Sequence, residues 1–347
     1  MNTMKYAFNF LLIFLFCFTL ASCGGGDDTV EPTPDPIDNT GGDDGSDDGG
    51  GDDGEDDGSD DGGEDDGEDD GTTEDPNPQD GAISPIPETF THKVVIEEAT
   101  GTWCGWCPMG TAIMDKYVAE YPNRVYGIAI HGGSPTEPMK NDGMINALDR
   151  VYDLAGFPSG LVNRIASPST RELFIHPDNW SEAIDKQLEK STTSVGIALE
   201  SNINEADAIA TVQAHVGFGQ DVNTSTNYKI LIYLIEDGIV SPQQNYLSGD
   251  SDFSGGNYNK YYEAPAVIDD YIHNHVAKRA FTSLDGEEIG AENVGEFKKF
   301  KKEFQINLTR SDNLTESYVV AVLLQDGSRP SVLNVQKVKL GETKDWD

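Results

Sequence analysis

Trp103-Cys104-Gly105-Trp106-Cys107-Pro108 is the stretch on which the reading of this chain turns. Before it lies His92-Lys93-Val94-Val95-Ile96-Glu97-Glu98, a run that reads as a strand closing on a Thr-Gly-Thr turn. After it, Met109, Ile113, Met114, Tyr117 and Val118 recur at helical spacing until Pro122 stops the pattern. A cysteine at the start of a helix sits beside unpaired N–H groups and the positive end of the dipole, which favour thiolate over thiol. Cys104 is therefore the expected attacking sulfur, and Cys107, one helical turn on and more buried, the resolving one. Trp103 and Trp106 flank the pair as expected substrate contacts. Two other readings of C-x-x-C stay open. It can be half of a zinc site, but the other half would have to come from the scattered His92, His131, His176, His215, His273 and His275. It can also be an inert structural disulfide, which has the same sequence. Neither a cofactor nor a metal is expected.

Working outward, a second buried strand runs from Val125 to Ile130, a helix from Met144 to Leu154, a strand follows around Leu161-Val162, and a helix spans Asp178 to Leu188. Strands alternating with helices imply a sheet covered on both faces. The order β-α-β-α-β-β-α is that of a thioredoxin core. Beyond Thr192 only strands are expected: Val195–Glu200, Ala208–Val216, Tyr228–Glu236, Ile272–Phe281, Phe304–Leu308, Tyr318–Leu324 and Val332–Lys339. The predicted fold is an α/β thioredoxin-like domain over residues 85–191, followed by an all-β immunoglobulin-like sandwich over 192–347. The segment from Gly238 to Asp270, rich in Gly, Ser, Asn and Tyr, is longer than most loops, and loops of that length are functional or mobile.

The N-terminal part reads differently. Lys5 and the apolar run Tyr6 to Leu20 form an export signal over residues 1–22, ending in Leu20-Ala21-Ser22-Cys23, a lipobox that predicts acylation of Cys23. Several acyl chains on one residue give stable membrane anchoring. Residues 23–84 are an Asp/Gly-rich linker. Between Gly24 and Asp80 it holds 25 of the chain's 62 acidic residues and no Lys, Arg or His, which accounts for most of the net charge of −39. With almost no apolar residues the linker is expected to be disordered, spanning about 40 Å as a flexible coil. Its repeats lack the spacing of a calcium loop. Such a tail repels nucleic acid, which is excluded as a partner. Of the four cysteines, Cys17 leaves with the signal and Cys23 carries lipid, so Cys104 and Cys107 remain in a compartment where disulfides persist.

The run Glu97-Glu98-Ala99-Thr100-Gly101-Thr102 leading into the C-x-x-C, with Ile130-His131-Gly132 and Tyr271-Ile272-His273-Asn274-His275, resembles the Omp-twenty-eight-related outer membrane lipoproteins of Bacteroidota. The resemblance covers about Thr91 to Leu340. It implies a thioredoxin-like domain, a β-sandwich, and a lipid-anchored place in the outer membrane, for which Gly24 beside Cys23 is suitable. The acidic stretch after the lipid cysteine is similar to the surface-export signals of such lipoproteins. The wider thioredoxin pattern implies two further roles. Phe157-Pro158 falls where that superfamily places a cis-proline opposite the cysteines, the preceding residue offering backbone hydrogen bonds to substrate. Glu98 falls where many members bury an acid that accepts the resolving thiol's proton. Glu97 is then the solvated alternative, with the inward face undecided between them. His273 and His275 alternate on an expected strand and share one face. The chain thus reads as an outer-membrane-anchored thiol–disulfide oxidoreductase acting on thiols or disulfides of exported proteins. The alternative is a surface binding or adhesion lipoprotein that uses the same fold as a scaffold. The Gly-Trp dipeptide leaves the direction of electron flow open.

Overall fold

A computed structural model describes residues 83–347 other than Glu205 and residues 309–312. The signal segment, Cys23 and the linker as far as residue 82 lie outside the described residues. Strand β1 (Val94–Thr100) is buried at every position. The helices α1 (Pro108–Glu120), α2 (Asp142–Tyr152) and α3 (Trp180–Leu188) explain why. Val94 and Ile96 pack with Ile113, Met114 and Tyr117 of α1 and Trp180 and Ile184 of α3. On the opposite face, Val95 and Ala99 pack with Met144, Ile145, Leu148 and Tyr152 of α2. Strand β1 runs parallel to β2 (Val125–His131) and antiparallel to β3 (Ser159–Val162). The expected strand after β3 is reduced to a single antiparallel bridge, Gly160 with Ile175.

The strands expected beyond Thr192 are present as β4 (Val195–Asn204), β5 (Ile209–Phe218), β6 (Tyr228–Glu236), β7 (Val276–Ala280), β8 (Lys299–Asn307), β9 (Ser317–Gln325) and β10 (Ser331–Lys339). They do not close as a sandwich of their own. The large sheet has the order β10-β9-β6-β7-β2-β1-β3, with Glu287–Ile289 added against β6. The smaller sheet is β8-β5-β4 with Thr343–Lys344 at its edge. Hydrogen bonding therefore crosses the change of pattern at Thr192 without a break: β7 pairs antiparallel with β6 and, on its other side, parallel with β2. The result is a β-rich fold with few helices.

Two-sided burial explains the central strands. Ile230, Ile232 and Leu234 of β6 share a core with Val212, Ala214 and Val216 of the smaller sheet. Leu231, Tyr233 and Ile235, pointing the other way, join the core under α2. A strand covered on both faces reads as an unbroken apolar run, as Ile230 to Ile235 does.

The same geometry overturns the expectation for Glu97. It points away from α1, but that face is covered by α2, so Glu97 is 1% exposed. Its carboxylate is held by both arms of Arg164, with Nε on Oε2 and Nη2 on Oε1 each at 2.7 Å, and Tyr233 donates its hydroxyl at 2.7 Å. Arg164 is itself buried and donates through Nη1 to the Leu284 carbonyl at 2.6 Å and to the Tyr152 hydroxyl at 3.2 Å. The pair thus ties β1, the turn after β3, α2 and β6 together.

Breaking a buried ion pair from one side strands the other charge, a loss of about 3–5 kcal/mol. Arg164→Met should lower the urea unfolding free energy by about that much. An unchanged midpoint would show that Glu97 finds solvent or a proton at no cost.

Candidate functional site

Strand β1 ends at Thr100, and the chain enters α1 through two successive turns. The Cys104 amide donates to the Gly101 carbonyl at 3.1 Å, and the Cys107 amide to the Cys104 carbonyl at 3.2 Å. Cys107 is the N-cap of α1 and Pro108 its first residue, where a missing N–H costs nothing. The first turn carries no acidic side chain and no side-chain cap, so the positive end of the helix is left facing the cysteines. Cys104 and Cys107 are joined as a disulfide, and both are buried, at 4% and 1% exposure.

The other residues singled out in the sequence gather around this pair. The Trp103 indole donates to the Gly132 carbonyl at 2.8 Å, and its ring lies 5.5 Å from that of Phe157. The Phe157-Pro158 bond is cis. Ser159 pairs with Ala99, so Pro158 stands beside the end of β1, just ahead of the cysteine turn. Trp106 faces the other way, its ring 5.6 Å from Tyr246 and 6.0 Å from Phe253. Trp103 and Trp106 are each about two-fifths exposed, at 38% and 41%.

Glu98 is fully buried against the first turn of α1. A Cβ placed on Gly110, in the first turn of α1, would lie 2.3 Å from its Oε1 and 2.8 Å from Trp180, so the carboxyl is seated where glycine leaves room. Neither carboxylate oxygen has a hydrogen-bond partner among the described residues. Burial, reinforced by the nearby negative charge of Asp115, pushes its pKa well above the usual carboxylate range. The inward face was thus not a choice between Glu97 and Glu98; both are inside, on opposite faces.

Several further groups at the site were not selected from the sequence. Glu137 accepts from the Thr102 amide at 2.7 Å and the Thr102 hydroxyl at 2.8 Å, and its Oε1 lies 3.1 Å from His131 Nδ1. Burial alone would raise its pKa, but the bonds from His131 and Thr102 hold it below the usual range. It therefore anchors, as an anion, the residue that opens the cysteine turn. The His131 ring meets His273 at 5.2 Å, and His273 meets Tyr271 at 4.6 Å. Burial, then the neighbouring His131, lowers the pKa of His273 to about 4, which leaves it neutral. His273 and His275 do not share a strand face. The strand breaks between them, His275 takes a φ of 60°, and its amide donates to Asp237 at 2.6 Å. The two histidine motifs were visible in the sequence, but nothing there paired His131 with His273. Among the described residues no group of three His, Cys, Asp or Glu is arranged to hold a metal ion. No helix among them is long and apolar enough to cross a membrane.

The long segment between β6 and β7 crosses over the cysteine turn. The Gln244 amide donates to the Thr102 carbonyl and the Tyr246 amide to the Gly105 carbonyl, each at 2.8 Å. The Gln243 side chain reaches the Cys104 carbonyl at 2.9 Å.

Residues 145–344 match the family described as outer membrane protein Omp28. The chain belongs to the Omp28 family. It is accordingly an outer membrane protein, in the family expected from the sequence. The matched span begins beyond Cys107, so membership covers Phe157, Pro158 and the strand-rich part but not the cysteines. Among solved structures, HBP35 of Porphyromonas gingivalis is similar, with a TM-score of 0.55 at 18% identity over 72% of this chain and 76% of that one. At that identity the likeness is one of fold alone. A protein from Agrobacterium tumefaciens aligns at 9% identity with a TM-score of 0.44, over 73% and 96% of the two chains. A domain of the outer membrane lipoprotein Omp28 from Porphyromonas gingivalis aligns at 14% identity with a TM-score of 0.26, over 43% and 90%. No curated protein matches the chain in sequence.

The state of Glu98 is measurable. The folded carboxyl keeps its proton to higher pH than the unfolded one, so above about 4.5 unfolding releases a proton and stability declines as pH rises. The decline is at most about 1.4 kcal/mol per pH unit and stops at the folded pKa. Glu98→Gln removes the titration, so its Tm relative to wild type should rise from pH 4 to pH 8. A difference independent of pH would place a charged Glu98 in the folded protein.

Proposed function

We propose that the chain is a thioredoxin-like thiol–disulfide oxidoreductase of the outer membrane, acting on cysteines of exported proteins and tethered through an acylated Cys23. The observation that carries this reading is the disulfide at the unneutralised N-terminus of α1, with Glu98 buried against the same first turn and without a hydrogen-bond partner among the described residues. A staple that only stabilised the turn would need none of these neighbours.

In the oxidising direction, a substrate thiolate attacks Cys104 Sγ. The bond to Cys107 breaks and leaves a Cys107 thiolate, which takes up a proton; protonated Glu98 is the buried donor placed under the helix start. A second substrate thiolate then attacks the mixed disulfide and releases Cys104 as a thiolate, which the helix N-terminus stabilises. The substrate dithiol has lost two electrons and two protons, and the cysteine pair has gained both electrons. In the reducing direction the steps reverse, and Glu98 accepts the Cys107 proton. Phe157, before the cis-proline, offers its backbone to the substrate chain, and Trp103 and Trp106 offer exposed aromatic surface on either side.

A second reading draws on the near-complete burial of both cysteines. There the chain is a binding or adhesion lipoprotein of the cell surface, and the pair is structural.

Trapping separates the two. Cys107→Ser leaves Cys104 free to attack but removes the resolving thiol. It should accumulate reductant-sensitive adducts with exported proteins on non-reducing gels, while Cys104→Ser should accumulate few. If neither variant forms adducts above the double serine variant, the oxidoreductase reading fails.

A further inference from the structure

The segment between β6 and β7 reaches the cysteine turn from a neighbouring pair of strands. Strand β7 is parallel to β2 with Val276 opposite Ala129, and antiparallel to β6 with Val276 opposite Glu236. Residues 237–275 therefore start and end level with Ala129, two residues before the end of β2, and their hydrogen bonds to Thr102 and Gly105 carry them over the cysteine turn. The segment is built, not draped. Gln243–Gln244 pairs with Val267–Ile268 as a short hairpin stem, and the Asn245 amide group donates to the Tyr261 and Pro265 carbonyls at 2.8 and 3.1 Å. Leu247 is fully buried against Met109 and Ala112 of α1 and against Tyr261.

Its contact with the cysteine turn takes the form of a docked extended peptide. Alternate amides, those of Gln244 and Tyr246, donate to the carbonyls of Thr102 and Gly105, and Gln243 adds a bond to the Cys104 carbonyl. The approach depends on Gly105: a Cβ there would lie 2.3 Å from the Tyr246 ring. With this strap in place Cys104 and Cys107 keep 4% and 1% of their surface. A thiolate must reach a disulfide sulfur in line with the S–S bond.

We propose that residues 243–247 are a self-bound strap that occupies the peptide edge of the disulfide, and that the disulfide exchanges with a thiol only when this strap lifts. The inference rests on the oxidoreductase reading for the partner, an extended cysteine-bearing segment of an exported protein that replaces the strap. The strap lifts as a local opening, held down by the Leu247 contact and the backbone bonds rather than by the whole fold.

The test uses the full-length oxidised chain and dithiothreitol, with exposed thiols counted by a maleimide label over time. Tyr246→Ala removes an exposed ring from Gly105, and Leu247→Ala removes the buried pin. Each should speed reduction by about tenfold or more, as expected for weakening a local docking contact. Arg164→Met, which loosens the fold away from the strap, should not. The proposal is overturned if the native wild type is reduced as fast as urea-unfolded protein. It is equally overturned if the strap variants match wild type, or if Arg164→Met accelerates reduction as much as they do. Adduct trapping by Cys107→Ser is read separately. Faster reduction in the strap variants without adducts sinks the oxidoreductase and keeps the strap; adducts without faster reduction do the opposite.

Discussion

The amide of Ala129 donates to the carbonyl of His275 at 2.7 Å, and with it β7 joins β2 in parallel. Strand β7 begins opposite Ala129, two residues before β2 ends, and the antiparallel β6 ends at the same level. The connection between β6 and β7 therefore leaves the sheet close to the end of β2, and its own hydrogen bonds to Thr102 and Gly105 dock it on the turn from β1 into α1. It brings His273 onto His131, Gln243 onto the Cys104 carbonyl and Tyr246 onto Gly105. Had β6 and β7 formed a sheet by themselves, the disulfide would stand open to solvent and the long connection would have no surface to dock on.

Joining the sheets has a second consequence, for charge. The large sheet is covered on both faces, so consecutive residues of β1 are both buried, and Glu97 and Glu98 cannot share the work of facing water. They are neutralised in different ways. Glu97 meets Arg164, Tyr233 and the elements those residues belong to. Glu98 has no hydrogen-bond partner among the described residues, and burial raises its pKa well above the usual carboxylate range. The first solution fixes the packing of α2 and β6 against β1. The second places a titratable group, with its proton available, beneath the start of α1. Adjacent acids on one strand thus meet burial with an arginine on one face and without a hydrogen-bond partner among the described residues on the other.

Much of this was legible locally, and the limits have a physical cause. The helical recurrence of Met109, Ile113, Met114 and Tyr117 and the strand runs at Val94 and Val125 were read from neighbours within a few residues, while the cis position of Pro158 came from the resemblance to the thioredoxin pattern. Glu97 was misjudged because alternation tells inside from outside only when one face of a sheet is wet. Ile230 to Ile235, apolar at every position, was the signal that both faces were covered. Arg164 gave no signal: one arginine after a short strand looks like a surface residue, and its partner lies 67 positions earlier. Pairing of β7 with β2 joins segments about 150 residues apart in sequence, and strand partners at such separation leave no mark on local periodicity. For the same reason the meeting of His131 with His273 could not be foreseen from two histidine-bearing runs.

Burial of both cysteines bears on the chemistry in a way that thiol acidity alone does not. The rate of disulfide exchange depends on the attacking thiolate, on the leaving thiol and on access along the S–S axis. On the oxidoreductase reading the helix start and Glu98 act on the leaving group and the strap on access, and the two sit on separate structural elements. A weakly acidic thiol under an open surface and a strongly acidic one under a closed strap would give the same slow exchange. Acidity is set by α1 and β1, close in sequence and fixed by the core. Access is set by residues 243–247, held by a few hydrogen bonds and one buried leucine. On the oxidoreductase reading, that separation lets access be changed while α1 and β1, held by their own core, keep the cysteine pair and Glu98 in place.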